Sequence, residues 1–383
     1  MSVTAATGFR AAGVAAAIKS SGGLDLALVV NDGPSDAAAG VFTANRIKAA
    51  PVLWSQQVLT SGRLRAVVLN SGGANACTGP AGFADTHATV ERVGALLEVG
   101  PGEVAVCSTG LIGERLPIDA VLAGVSAAAA GLTVAGGRAA AAAIMTTDTV
   151  PKTAVRRGDG YIVGGMAKGA GMLAPALATM LCVITTDADV DSAALDKALR
   201  AATATTFDRL DADGCMSTND TVLLLASGAS GVRTGYDDFA AAVRDVCADL
   251  AAQLLADVEG STKRIAITVT AAASTADAIE VGRAVARSSL LKCALYGNDP
   301  NWGRVLAAAG TTRAAFDPDR IDVAINGAVV CRNGTAAADR STVDMTAPGI
   351  TIDIDLHEGG ESVTVWTSDL TPGYVHENSV YSS

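Results

Sequence analysis

Within one short stretch of the chain the apolar residues change period, and that change restricts the fold more than any other feature. Phe239, Val243, Val246, Leu250 and Leu254 recur at steps of three and four, the spacing that lines one face of an α-helix. Ile265, Ile267 and Val269 then recur at steps of two, as the buried face of a strand does. The first pattern predicts a helix over Asp237–Val258, entered through an acidic pair and stopped at Gly260. The second predicts a strand over Arg264–Thr270. Ile350, Ile352, Ile354 and Leu356 alternate likewise, and beyond Gly359–Gly360 so do Val363 and Val365, which predicts a hairpin. A chain carrying both periods folds as stacked sheets and helices, an α/β (α+β layered) protein.

The first half reads the same way. Arg65–Asn70 and Glu103–Ser108 are short apolar runs that end in Gly-containing turns, the pattern of buried strands. Helices are expected around Val90–Leu97 and Ile118–Ala130, and over the alanine tract Gly136–Ile144, because alanine favours helix so strongly. With 383 residues the chain exceeds one small core and suits two domains or one large two-lobed one.

Charge and cysteine narrow the function. A net charge of −11 argues against nucleic-acid binding, which needs a basic surface. It leaves room for an anionic substrate held by a few placed Lys or Arg. The seven cysteines contain no CxxC pair, so neither a zinc site nor a disulfide framework is expected, and buried reduced thiols fit a cytoplasmic address. No apolar run reaches membrane length, and the weakly apolar Ala11–Ile18 is no secretory signal.

Three familiar patterns fail on inspection. Asp187, Asp189 and Asp191 open like a calcium loop, but Ser192 stands at the required Gly and Ala198 at the closing Glu, leaving a solvated acidic turn before a helix. Gly169-Ala-Gly171-Met-Leu-Ala174 matches a relaxed dinucleotide fingerprint, yet Pro175 follows at once and the apolar strand comes after the glycines, so a tight backbone turn is expected. His87, His357 and His376 share no metal-ligand spacing, and no GxSxG elbow exists. No metal is expected.

The segment Met166–Asp187 carries more. A Gly/Pro-rich turn with one lysine, Lys168, leads into Ala178-Thr179 and the apolar run Met180–Ile184. By composition alone this is a buried turn with a strand-starting Thr, and Lys168 by itself reads as a residue of a surface turn. The segment, however, closely resembles the self-processing motif of the ornithine acetyltransferase family. Blocks of similar character follow in order along nearly the whole chain: Val41–Asn45, Asn70–Gly79, Ser108–Gly113, Met145–Thr149, Ser217–Thr221, Glu259–Lys263, Asp299–Arg304 and the tail Gly373–Ser383.

That resemblance implies a fold of β-sheets sandwiched between helices, shared with self-processing aminopeptidases. It implies autoproteolysis between Ala178 and Thr179, giving residues 1–178 and 179–383, which stay together as a heterotetramer of two α and two β chains. Thr179 would be the nucleophile, with Thr109 and Gly110 as the oxyanion hole. Lys168, Glu259, Asn378, Ser383 and a threonine of Thr146-Thr147 would line the substrate pocket, Lys168 facing a carboxylate and Glu259 an ammonium. The freed α-amine titrates at roughly pH 7.7–8.0 when unperturbed, so it can act as base without a histidine.

The implied reaction is ping-pong acetyl transfer from N-acetylornithine to glutamate, within arginine biosynthesis. No cofactor is implied. Acetyl-CoA is an alternative co-substrate on which no motif bears, and the monofunctional cycle is the expectation. Two positions depart from the family: Gly73 stands where a second Asn is usual, and Cys215-Met216 replaces a more polar pair. A self-cleaving amidase and a specialised-pathway paralogue are the competing readings. For the tail to serve the site it must be tied down, a role expected of Tyr374, Val380 and Tyr381.

Overall fold

The computed structural model describes residues 2–172, 174 and 180–380. Two sheets lie face to face. The first, in the order Phe9–Val14, Leu26–Asn31, Ala66–Gly73, Val104–Leu111, is antiparallel except for its last pair. The second has the order Ala38–Phe42, Thr221–Ala226, Leu181–Thr186, Ile162–Lys168, Lys152–Arg157. Its one parallel pair joins Leu181–Thr186 to Thr221–Ala226.

Alternation decides which side chains fill the space between them. Ala27, Val29, Val67 and Leu69 from the first sheet share one core with Leu181, Val183, Leu223 and Leu225 from the second. Their neighbours face outward: Leu26, Leu28, Val68 and Val106 pack on helices Gly79–Leu97 and Ile118–Ala130. Cys182, Ile184, Val222 and Leu224 pack on helices Ser192–Thr205 and Tyr236–Ala256. The result is a four-layer helix–sheet–sheet–helix sandwich. A side chain of this kind stabilises by roughly 1.5–3 kcal/mol when buried, and a one-residue slip would move each to the wrong layer.

A third sheet, in the order Thr335–Ala336, Ala328–Arg332, Asp322–Ile325, Gly349–Asp355, Arg264–Ala272, Glu361–Ser368, covers its own core with helices Thr275–Ala286, Ser289–Tyr296 and Trp302–Ala309. The expected hairpin does not form here. Arg264–Ala272 lies between the two strands, parallel to Gly349–Asp355 and antiparallel to Glu361–Ser368.

Most expected elements are present with shifted ends, including the helix Tyr236–Ala256 and the short helix Gly137–Ala143. Asp191 caps helix Ser192–Thr205 by accepting from Ala194 N at 2.8 Å. Asp187 is not solvated as expected: it is buried, and its carboxylate accepts from the backbone N–H groups of Thr7 and Ile162. Four thiols are buried as expected, but Cys77, Cys215 and Cys293 are exposed. Among the described residues no helix is long and apolar enough to cross a membrane, and no group of His, Cys, Asp and Glu could hold a metal ion.

Candidate active site

Strands from both face-to-face sheets end at one place. In the first sheet Ser71 pairs with Thr109 and Gly72 with Gly110, after which the ladder becomes irregular. Gly110 has φ +132°, and a Cβ there would lie 2.4 Å from Gly73 N. Only glycine tolerates both the conformation and the approach. Beneath this turn the Ser108 hydroxyl donates to Asn70 Oδ1 at 2.5 Å, and Asn219 Nδ2 donates to Ala74 O and Ser108 O at 2.6 and 2.8 Å. These buried side-chain bonds fix the turn. At Gly73 an added Cβ would lie 2.6 Å from Leu116 Cδ2, so leucine fills the space a side chain at this position would need.

In the second sheet Lys168 ends its strand opposite Leu181. It is buried, not in a surface turn, because its strand is covered on both sides. Its Nζ donates to Thr109 Oγ1 at 3.4 Å and lies 4.0 Å from Asp148 Oδ2. Burial pushes the Lys168 ammonium below the usual lysine range, with Asp148 opposing. Asp148 accepts from Lys152 Nζ at 2.6 Å and from Gly169 N at 2.7 Å. Burial alone would raise the Asp148 carboxyl, but Lys168, Lys152 and the Gly169 N–H outweigh it and hold it at about 2.

Glu259 closes the other wall. Its carboxylate accepts from the Thr147 hydroxyl at 2.6 Å and from Asn378 Nδ2 at 2.9 Å. Thr146 instead uses its backbone N–H, donated to Asp148. Gly171 lies against Glu259: a Cβ there would be 2.6 Å from Oε2. The glycines that mimic a dinucleotide fingerprint therefore let the backbone pass over a carboxylate.

Helix Pro372–Val380 brings in Asn378, and Thr371 fastens its start by donating to Gly260 O at 2.6 Å. Val380 is 66% exposed and does not pack as expected. Tyr381 and Ser383 lie outside the described residues, as do Ala178 and Thr179.

Met180, next to Thr179, is held on both sides. Its N–H donates to Asp220 Oδ1 at 3.1 Å and its carbonyl accepts from Thr221 N at 3.1 Å. Burial pushes the Asp220 carboxyl well above the usual range. Sequence reasoning missed Asp148, Lys152, Asn219 and Asp220. Asp148 lies inside the Met145–Thr149 block, and the buried Lys152 four residues later was its available signal.

A cleft of about 610 Å³ opens over these groups, lined in part by Lys19, Gly72, Gly110, Glu114, Thr146 and Thr147. Gly110 in its lining, with the buried Thr109 hydroxyl next to it and Lys168 behind, can stabilise an oxyanion. A carboxylate on its wall can hold an ammonium.

Comparison with known proteins agrees in kind. Residues 10–383 match the sequence profile of the ArgJ family. The arginine biosynthesis bifunctional protein ArgJ of Streptomyces coelicolor is 65% identical over 383 residues, covering all of both chains. That of Mycobacterium tuberculosis is 62% identical over 389 residues, covering 100% of this chain and 96% of its own. A crystal structure of ornithine acetyltransferase complexed with ornithine, from Mycobacterium tuberculosis, matches 47% of this chain and 96% of that one, at 66% identity and a TM-score of 0.45.

Proposed function

Because the chain belongs to the ArgJ family, we propose that this arginine-biosynthesis enzyme moves an acetyl group from N2-acetyl-L-ornithine to L-glutamate through an ester on Thr179. Thr179 becomes reactive when the chain cuts itself between Ala178 and Thr179, leaving residues 1–178 and 179–383 associated, as a tetramer of two of each in the cytoplasm. The Thr179 hydroxyl adds to the acetyl carbonyl, its proton passing to the new α-amine, and ornithine leaves. The amine of glutamate then attacks the ester and regenerates the hydroxyl. Thr109 and Gly110 face the oxyanion in both halves.

One observation carries this reading. Lys168 lies opposite Leu181 in the sheet and donates to Thr109 in the other sheet, so the strand that Thr179 leads into begins beside the turn of Thr109 and Gly110. Lys168 is suited to a substrate carboxylate and Glu259, with Asn378 and Thr147 fixing it, to the α-ammonium. Thr146 and Ser383 complete the pocket. The bifunctional designation of the relatives supports acetyl-CoA as a second donor; no resident cofactor is needed.

Thr179→Ala tests the core of the proposal. It should run as one band on a denaturing gel and show no acetyl transfer, whereas the parent runs as two. Cleavage retained in the variant would overturn the nucleophile. Ornithine release that proceeds at full rate without glutamate would instead favour an amidase, and acetyl-CoA with glutamate alone tests the second donor.

A further inference from the structure

Lys19 enters the cleft from the far N-terminal end of the chain, on a loop wound around a carboxylate. Asp25 is fully buried and accepts from the N–H groups of Ala16, Ile18 and Lys19 at 2.6, 2.7 and 2.9 Å. Ala17 in that loop has φ +57°, a conformation non-glycine residues adopt only when held. The Lys19 side chain then runs past Gly72, and its Nζ donates to Met145 O at 2.6 Å and Leu24 O at 3.2 Å. Both acceptors are neutral carbonyls. An ammonium has three N–H donors, so one is left for a ligand, and the charge has no carboxylate in salt-bridge contact among the described residues.

The substrates differ in charge at one end. Both donor and acceptor bring an α-carboxylate, but the side chain of ornithine ends in an ammonium and that of glutamate in a second carboxylate. Under the transferase reading Lys168, buried behind Thr109 and outside the cleft lining, serves one carboxylate. A second carboxylate brought out of water needs its own cation. Lys19 is the one basic residue among those described that lines the cleft, and Glu114 and Glu377 line it too. The lining of one cleft therefore holds a fixed cation and two acidic side chains.

We propose that Lys19 is a specificity-determining residue that receives the side-chain carboxylate of the acceptor, while Glu114 and Glu377 serve the ornithine ammonium. This rests on the transferase reading above. It explains how one cleft accepts side chains of opposite charge without rebuilding itself. Burial draws the Lys19 ammonium down from the usual lysine range, and Lys168 adds to this against Asp25 and Asp148.

The test uses glutamine, which matches glutamate in size but lacks the charge. Wild-type processed enzyme should favour glutamate over glutamine as acceptor by at least about tenfold in kcat/KM, the worth of one charged hydrogen bond. Lys19→Gln should raise KM for glutamate by roughly 10- to 100-fold, bring the ratio toward one, and leave ornithine release from N-acetylornithine nearly unchanged. Lys19→Arg should restore part of the preference. A wild-type enzyme that uses both acceptors equally overturns the proposal without any variant, and so does a Lys19→Gln enzyme with the wild-type ratio or with both half-reactions lowered alike. Wild-type enzyme inert toward glutamate overturns the transferase reading itself, an outcome separate from a lost preference.

Discussion

Lys168 Nζ donates to Thr109 Oγ1 across 3.4 Å, joining the end of a strand in one sheet to a strand of the other. It is a contact between two layers of the sandwich, and it lies where both ladders stop. A buried lysine in its charged form, 4.0 Å from the nearest Asp148 oxygen and donating to the threonine, puts positive potential on the threonine hydroxyl. That is the field an oxyanion donor needs.

Thr109→Ala should therefore lower kcat by about 100-fold or more, the usual cost of removing one oxyanion donor, with KM little changed. Steady-state kinetics on folded, processed variant would check it. Activity within a few-fold of the parent would remove Thr109 from the oxyanion hole.

Glu259→Gln keeps the size of the side chain and removes the charge; its one oxygen can still accept from Asn378, while its NH2 must donate to the Thr147 hydroxyl that donates to Glu259 in the parent. KM for N-acetylornithine and glutamate should be affected unequally. Loss should fall on whichever step holds an α-ammonium, by roughly 10- to 100-fold, the worth of a charged hydrogen bond. Product inhibition by ornithine reads this directly: its inhibition constant should rise by that factor. An unchanged constant would place the ammonium elsewhere.

Lys152, Asp148 and Asp257 form a buried cluster with Nζ–oxygen distances of 2.6 Å to both carboxylates. The Asp148 carboxyl is depressed from 3.8 to about 2 in the folded protein, chiefly by Lys168 and Lys152 acting against burial. A depressed carboxyl contributes stability above its unfolded value, lost as pH falls through the folded one. That contribution, on the order of 2 kcal/mol, should be present above about pH 4 and fade toward pH 2. Thermal melts across this window should show a steeper acid loss for the parent than for Asp148→Asn. Lys152→Met, which takes from buried Asp148 and partly buried Asp257 the cation they share, should cost up to about 3–5 kcal/mol at neutral pH. Parallel melting curves for parent and Asp148→Asn would contradict the coupling.

How much of this was legible depends on whether the signal was local. Phe239 to Leu254 wrote their helix into their own spacing, and the alternating isoleucines wrote their strands. The hairpin failed because sheet order is a tertiary fact: nothing between Leu356 and Val363 reveals that Arg264–Ala272 will come between them. Lys168 read as surface because its strand, Ile162–Lys168, is glycine-containing and buried on both faces, so it has no period. The pairing of Glu259 with Thr147 and Asn378 joins residues 112 and 119 positions apart. Only the resemblance brought them together in advance. Asp220 lay inside the Ser217–Thr221 block without a role of its own, and Lys19 carried no local mark at all.

The five-stranded sheet interleaves strands from either side of the bond at 178/179, and under the proposed cleavage this gives the molecule a one-way history. The uncut chain reaches its fold in a unimolecular search, with every loop closure aided by covalent connection. Once cut, the same hydrogen bonds persist, because a ladder does not require its strands to belong to one chain. But pieces that have been unfolded must then meet by diffusion before the sheet can form again. Cleavage as proposed would convert a self-sufficient polypeptide into a complex that keeps its shape without keeping the route by which it was made.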